Sequence, residues 1–202
     1  MKLYTAKASP FGRTVEIVAH ELGLHEAMDV IATTVMPTKD NDAYKALNPL
    51  RKIPALVLED GTLLADSSLI CQYLAARVGD RHLFAQDAPE HWAVQNAYML
   101  AKGTADCLVA ARYESAVRPE EARWPAWLTD QLGKAHATLA FFDKAPPSID
   151  GRITIAAVGL GAALGYMDFR FPDEGWRERY PALATWAEPL FERPSFLATR
   201  PG

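Results

Sequence analysis

A serine followed by proline, Ser9-Pro10, stands immediately before a stretch with helical spacing. Serine is a preferred N-cap of helices in general, so Ser9 has a purely structural interpretation. The same position also offers a hydroxyl and unpaired backbone N–H groups at the positive end of a helix dipole. Such a setting favours a bound anion, a thiolate included. These residues alone leave both interpretations open.

A second segment, Ile53-Pro54, places a proline at the entry to an apolar strand. Proline is tolerated at the first position of a strand, which is the structural interpretation. A cis bond between Ile53 and Pro54 would instead leave the Ile53 N–H and C=O able to pair with an extended peptide ligand. The functional interpretation therefore predicts a cis bond here, and a trans bond would contradict it.

A third polar pair, Asp66-Ser67, lies between a strand and a helix. Ser67 could serve only as the N-cap of that helix. Together the two residues could also hold the free end of an amino acid, with its ammonium on Asp66 and its carboxylate on the Ser67 hydroxyl and backbone N–H groups. The pair is compatible with either role.

All three sites lie at junctions between short elements of the first 80 residues. Four strands are predicted at 2–6, 29–32, 53–58 and 62–64, and helices at 9–22 and from 67 onward. Residues 37–43 are predicted to form a loop, and Asp60-Gly61 a hairpin turn. The resulting β-α-β order, followed by β-β-α, predicts a small mixed sheet covered by helices.

Strand signals disappear after about residue 88. Helical spacing covers 90–117, 124–143, 154–169 and 182–192, and prolines at 119, 146, 147, 172 and 181 mark the breaks. We therefore predict an all-α domain over 88–202 after a smaller domain over 1–80, joined by a linker within 78–89. A total of 202 residues is ample for both cores.

Composition argues against several classes of function. Lys and Arg number 21 and Asp and Glu 25, a net charge of −4, so the chain lacks the basic field needed for nucleic-acid binding. Two distant cysteines, Cys71 and Cys107, and five scattered histidines do not have metal-ligand spacing. The N-terminus does not resemble a signal peptide, and the apolar run 153–167 is too short to span a bilayer. We expect a cytoplasmic protein without metal or membrane partner.

The order and spacing of these motifs resemble the glutathione S-transferase family. The resemblance rests on Ser-Pro-Phe at 9–11, Ile-Pro-Ala-Leu at 53–56 and Asp-Ser at 66–67, followed by a helical domain. The segments 165–170 and 193–196 look most like its bacterial, YibF-like branch. The resemblance implies an α/β thioredoxin-like N-terminal domain plus an all-α C-terminal helical bundle domain. It also implies glutathione as co-substrate, detoxification chemistry and a homodimer.

Residue roles follow from the resemblance. Ser9 would hydrogen-bond the glutathione sulfur, the Ile53 backbone beside cis-Pro54 would pair with the cysteinyl unit, and Asp66 and Ser67 would hold the γ-glutamyl end. The remaining implied contacts are Lys52 with the glycyl carboxylate, Phe11 beside both substrates, and Cys107, Tyr113 and Tyr166 in the electrophile pocket. From the residues alone, a cysteine or aromatic side chain on a helix is more often part of the core.

The implied activity adds the glutathione thiolate to small hydrophobic electrophiles. Peroxidase or dehalogenase work at the same site is an alternative, as is a non-catalytic ligand-binding or stress-response protein of the same fold. Serine at position 9, where other members carry cysteine, disfavours thiol–disulfide chemistry. A second departure is Ala157, where the family carries an acidic capping residue; Thr154 is still expected to cap the helix.

Overall fold

A four-stranded mixed sheet organises the first part of the chain in the computed structural model, which describes residues 1–202. Strand β1 (Lys2–Thr5) pairs in parallel with β2 (Asp29–Ala32) and antiparallel with β3 (Ala55–Val57), and β3 pairs with β4 (Leu63–Leu64). The spatial order is therefore β2-β1-β3-β4. The predicted mixed sheet is confirmed; β2 has the predicted bounds, and the other three strands are one to three residues shorter than predicted.

Three helices accompany this sheet. They are α1 (Pro10–Glu21), α2 (Asp42–Leu47) and α3 (Ser67–Arg77). Helix α1 begins with proline at its first position and is followed by Gly23 at φ +68°, a left-handed conformation that glycine adopts without strain. The predicted loop over 37–43 was wrong at its end, because Asn41 accepts the Tyr44 N–H at 3.1 Å and starts α2.

The rest of the chain is helical. Its helices are α4 (His91–Arg112), α5 (Pro125–Lys144), α6 (Ile155–Arg170), α7 (Trp176–Arg179), α8 (Pro181–Phe191) and α9 (Pro194–Ala198). Helix α4 is shorter than predicted because its pattern continues into a separate π-helical turn, Tyr113–Val117. The two short helices α7 and α9 were not predicted. No helix combines the length and apolarity needed to cross a membrane.

Helix α6 forms the centre of the helical domain, with every residue from Ile155 to Met167 buried. A Cβ added to Gly161 would lie 2.5 Å from the ring of Phe196, so glycine allows this close approach. The predicted side-chain cap by Thr154 is wrong: its hydroxyl accepts no bond from the helix. The Leu83 carbonyl accepts the Ile155 N–H instead, at 2.8 Å, and Ala157 has no acceptor to bond back to Thr154.

No helix or strand occurs between Arg77 and His91. We therefore propose that the thioredoxin-like domain ends near residue 80 and that the helical domain begins near residue 88. The two are held together chiefly through α1, which packs against α6 and α9.

The buried Arg13 of α1 links the two domains through hydrogen bonds, the first of two such ties between them. Its Nη2 donates to the Phe196 carbonyl at 3.3 Å, its Nε donates to Thr199 Oγ1 at 3.5 Å, and the guanidinium lies 5.3 Å from the Phe196 ring centroid. Burial lowers the pKa of Arg13 to about 10, partly offset by Asp168. A Cβ on Gly165 would meet Nη1, so glycine makes room for this arginine.

A second tie joins the last residue of α1 to the start of α9. Glu21 accepts from Arg193 Nε at 3.1 Å and Nη2 at 2.8 Å, and Ser195 Oγ donates to the same carboxylate. Burial alone would raise the pKa of Glu21, but the hydrogen bonds from Arg193 and Ser195 outweigh it and lower that pKa. The folded protein therefore favours ionised Glu21.

This tie predicts how stability depends on pH. A lowered carboxyl pKa contributes stability above the unfolded value of about 4.3 and loses it as pH falls through the folded value. Glu21→Gln should lower the free energy of unfolding at pH 7 by about 1–2 kcal/mol and flatten its fall below about pH 5. Denaturant unfolding across pH measures both effects. Glu26→Gln, at an exposed side chain, is the control, and equal pH slopes in the two variants would contradict the assignment.

Candidate functional site

Ser9 lies at the N-terminus of α1, between that helix and the end of β1. Its Oγ accepts the Gly12 N–H at 3.1 Å, which confirms the predicted N-cap. Because that bond uses only an oxygen lone pair, the hydroxyl hydrogen remains available for another acceptor. Gly12 is required beside it, since a Cβ there would overlap Thr5 Oγ1. Ser9 is thus held in place with its donor unused.

The Ile53–Pro54 bond is cis, as predicted, and leads into β3. Neither the N–H nor the C=O of Ile53 makes a hydrogen bond within the chain. The preceding turn is anchored because the Lys52 carbonyl accepts from Tyr44 Oη at 2.6 Å and Asn48 Nδ2 at 2.9 Å. Two peptide groups are therefore presented at the edge of a fixed loop, with the Lys52 side chain exposed beside them.

Asp66 and Ser67 stand at the start of α3, and the structure corrects one interpretation of them. The N-cap is Asp66, whose Oδ1 accepts the Ser68 N–H at 3.0 Å, whereas Ser67 is the first helical residue and is buried. The Ala65–Asp66 bond that precedes this cap is cis. The second carboxylate oxygen of Asp66 points toward the helical domain.

That oxygen meets Lys102 of α4, a residue that the sequence analysis missed. Lys102 Nζ lies 3.4 Å from Asp66 Oδ2 and 3.3 Å from Asp106 Oδ2, and 5.3 Å from the ring centroid of Phe11. The lysine therefore joins the first turn of α1 to the start of α3. Its i, i+4 spacing to Asp106 is visible in the sequence, but which domain that helix face meets is not.

The residues predicted to line an electrophile pocket occupy different environments. Cys107 is half-buried on α4, and burial raises its pKa, with the charges of Lys134 and Asp130 on α5 nearby. Tyr166 is buried in α6, and burial raises its pKa against the opposing charge of Arg170. Tyr113 is 40% exposed in the π-helical turn. Their joint role stays a prediction.

A cavity of about 580 Å³ lies elsewhere, between α2 and the sheet. Its walls include Tyr4, Ile31, Lys39 and Tyr44, and none of the predicted pocket residues borders it. Ser9, Ile53, Asp66 and Ser67 do not line this cavity. No group of three or more His, Cys, Asp and Glu side chains is arranged to hold a metal ion.

Two family models match this chain. Glutathione S-transferase, N-terminal domain, matches residues 8–77, which include Ser9, Ile53 and Asp66. Glutathione S-transferase, C-terminal domain, matches residues 125–188, from the start of α5 into α8. The Escherichia coli (strain K12) uncharacterized GST-like protein YibF is 29% identical over 206 residues, covering 100% of this chain and 98% of that protein.

Solved structures agree along the whole chain. A glutathione transferase family member from Pseudomonas fluorescens Pf-5, crystallised with bound glutathione, is 37% identical, with a TM-score of 0.93 and coverage of 100% and 98%. A glutathione S-transferase from Methylobacillus flagellatus, also with glutathione bound, is 33% identical, with a TM-score of 0.86 and coverage of 100% and 99%. Since relatives above 30% identity align along their full length, this chain belongs to the glutathione S-transferase family.

Proposed function

We propose that the protein is a glutathione transferase in which Ser9 stabilises the thiolate of bound glutathione. The observation that carries this proposal is the double use of one hydroxyl. Ser9 Oγ accepts the Gly12 N–H and is thereby oriented, while its own hydrogen is left to donate. The relatives crystallised with glutathione support the choice of thiol.

The rest of glutathione would lie along the other two junctions. The unpaired N–H and C=O of Ile53 would bond the cysteinyl backbone in the manner of an added strand. Asp66 would take the γ-glutamyl ammonium, and Ser67 with the N-terminus of α3 its carboxylate. Lys52 would meet the glycyl carboxylate. Each assignment pairs a ligand group with a protein group of complementary charge or hydrogen-bonding capacity.

The chemistry requires little more than a deprotonated sulfur. A free thiol has a pKa of about 8.5 and is mostly protonated at neutral pH. A hydrogen bond from Ser9 and the positive end of α1 favour the thiolate, and each pKa unit corresponds to about 1.4 kcal/mol. The thiolate forms a C–S bond with the electrophile, the leaving group departs with its electron pair, and the thiol proton goes to solvent.

The second substrate would bind between residues 9–11, at the start of α1, and α4. Phe11, Cys107, Tyr113 and Tyr166 are the proposed lining, an apolar and aromatic set suited to a small hydrophobic electrophile. The same thiolate could reduce a peroxide or displace a halide, so these activities are the enzymatic alternatives. A ligand carrier of the same fold would bind glutathione without turnover.

A glutathione-affinity column combined with a chlorodinitrobenzene assay tests the proposal. Retention on the column together with conjugation above the uncatalysed rate is the expected result. Retention without turnover of several electrophiles would favour the carrier. If peroxides or haloacids alone are turned over, one of the enzymatic alternatives applies, and failure to bind glutathione would contradict all of these functions.

We further propose a cytoplasmic homodimer. Two exposed apolar side chains support it, Leu69 on α3 and Met99 on α4, adjacent to Ser68 and Tyr98, whose hydroxyls lie 3.2 Å apart. The exposed Trp92 lies on the same long helix. Light scattering coupled to gel filtration should give twice the 22.2 kDa chain mass, and Met99→Glu should reduce it; a monomeric wild type would refute the dimer.

A further inference from the structure

We propose that Lys102 competes with the α-ammonium group of glutathione for Asp66 and so determines how strongly the protein recognises that group. This inference rests on the proposed function, because it takes Asp66 as the ammonium site. It concerns a residue of the helical domain that acts on the affinity for the ligand and not on the reacting sulfur.

Both oxygens of the Asp66 carboxylate are already engaged by the protein. Oδ1 caps α3 by accepting the Ser68 N–H at 3.0 Å, and Oδ2 lies 3.4 Å from Lys102 Nζ. An incoming ammonium must therefore displace the lysine from Oδ2 or share that oxygen with it. Like charges brought to one carboxylate repel each other, so sharing weakens the contribution of the ligand ammonium.

Displacement does not leave the lysine without a partner. Lys102 Nζ is also 3.3 Å from Asp106 Oδ2 on its own helix and 5.3 Å from the Phe11 ring centroid. These contacts stabilise the Lys102 ammonium group whether or not Asp66 is available to it. Lys102 can therefore move a short distance away from Asp66 at little cost in free energy. Its competition with the glutathione ammonium is accordingly weak but measurable.

The solvent exposure of the Lys102 and Asp66 side chains determines how much their ion pair can change the affinity for glutathione. The Lys102 side chain is 22% exposed and that of Asp66 56%, so their ion pair is weakened by solvent. Pairs of this kind change an equilibrium by up to about fivefold. Lys102→Met removes the competing charge and keeps much of the side-chain volume.

The test compares two ligands in two proteins by titration calorimetry. One ligand is glutathione, and the other is its des-amino analogue, glutaryl-cysteinylglycine, in which hydrogen replaces the α-amino group. The dissociation constant of the des-amino analogue divided by that of glutathione measures what the ammonium contributes to affinity. We expect Lys102→Met to raise that ratio about three- to fivefold over the wild type. Any effect of the substitution on the carboxylates, which both ligands carry, cancels in the ratio.

Lys134→Met is the matched control, because Lys134 also pairs with an aspartate four residues away, Asp130, but on α5. Its ratio should equal that of the wild type, and thermal unfolding verifies that both variants are folded. An unchanged or lower ratio in Lys102→Met overturns the inference while leaving glutathione binding intact. If the wild type binds neither ligand, the proposed function fails and the inference fails with it.

Discussion

Replacing Ser9 with alanine should lower the turnover of chlorodinitrobenzene by about 10- to 100-fold. That range corresponds to losing a hydrogen bond to a charged acceptor, about 1.5–3 kcal/mol. Titration of the thiolate absorbance in the glutathione complex should show a higher pKa for the bound thiol. The dissociation constant of glutathione should change much less, because the Ile53 backbone, Asp66 and Ser67 are intact.

Ser9→Ala also removes the cap of α1, which costs about 1 kcal/mol of stability, so a control must separate the two effects. Ser148→Ala removes another serine hydroxyl that accepts a backbone N–H, from Asp150 at 3.3 Å, in a loop before α6. It should leave turnover and the thiol pKa unchanged. Equal turnover in Ser9→Ala and the wild type would assign thiolate stabilisation to a different group, such as a backbone N–H at the start of α1.

Alanine at Gly161 should destabilise the protein relative to alanine at Gly133, although both glycines lie inside helices. Replacing a helical glycine with alanine is worth about 1 kcal/mol in favour of folding. Around Gly133 nothing lies within 4 Å of an added Cβ, so this gain should appear in full. At Gly161 the added atom would meet Leu190 at 2.8 Å and the Phe196 ring at 2.5 Å.

Overpacking of this kind costs about 1–3 kcal/mol. The two variants should therefore differ by about that amount in the free energy of unfolding, with Gly161→Ala the less stable, as measured by urea denaturation at constant pH. If Gly161→Ala were as stable as Gly133→Ala, α6 would have to move away from α8 and α9 without cost, which the burial of Ile155–Met167 argues against.

Local signals in the sequence were sufficient to locate the junctions between elements that form the candidate site. Ser9, Pro54 and Asp66 each follow or precede an element whose limits are marked by proline, glycine or a change in periodicity, so their positions could be predicted. Helical spacing predicted the all-α domain and the resemblance implied the thioredoxin-like fold, and the structure and the family models confirm both.

Contacts between the two domains could not be predicted in this way. Lys102 is one charged residue on a long helix, and only the docking of α4 against α3 and the first turn of α1 brings it to Asp66. Helix α2 was missed because its six residues carry too little periodicity to distinguish them from a polar loop. In both cases tertiary contacts determine the outcome and the local sequence does not.

The ties made by α1 also determine the order in which the chain can complete its fold. Arg13 donates to Thr199, which is 186 residues away, and Glu21 accepts from Arg193, which is 172 residues away. During synthesis α1 therefore leaves the ribosome long before its partners exist. The first domain carries a guanidinium and a carboxylate without those partners until the last helix docks, so its completion is a late, non-local step.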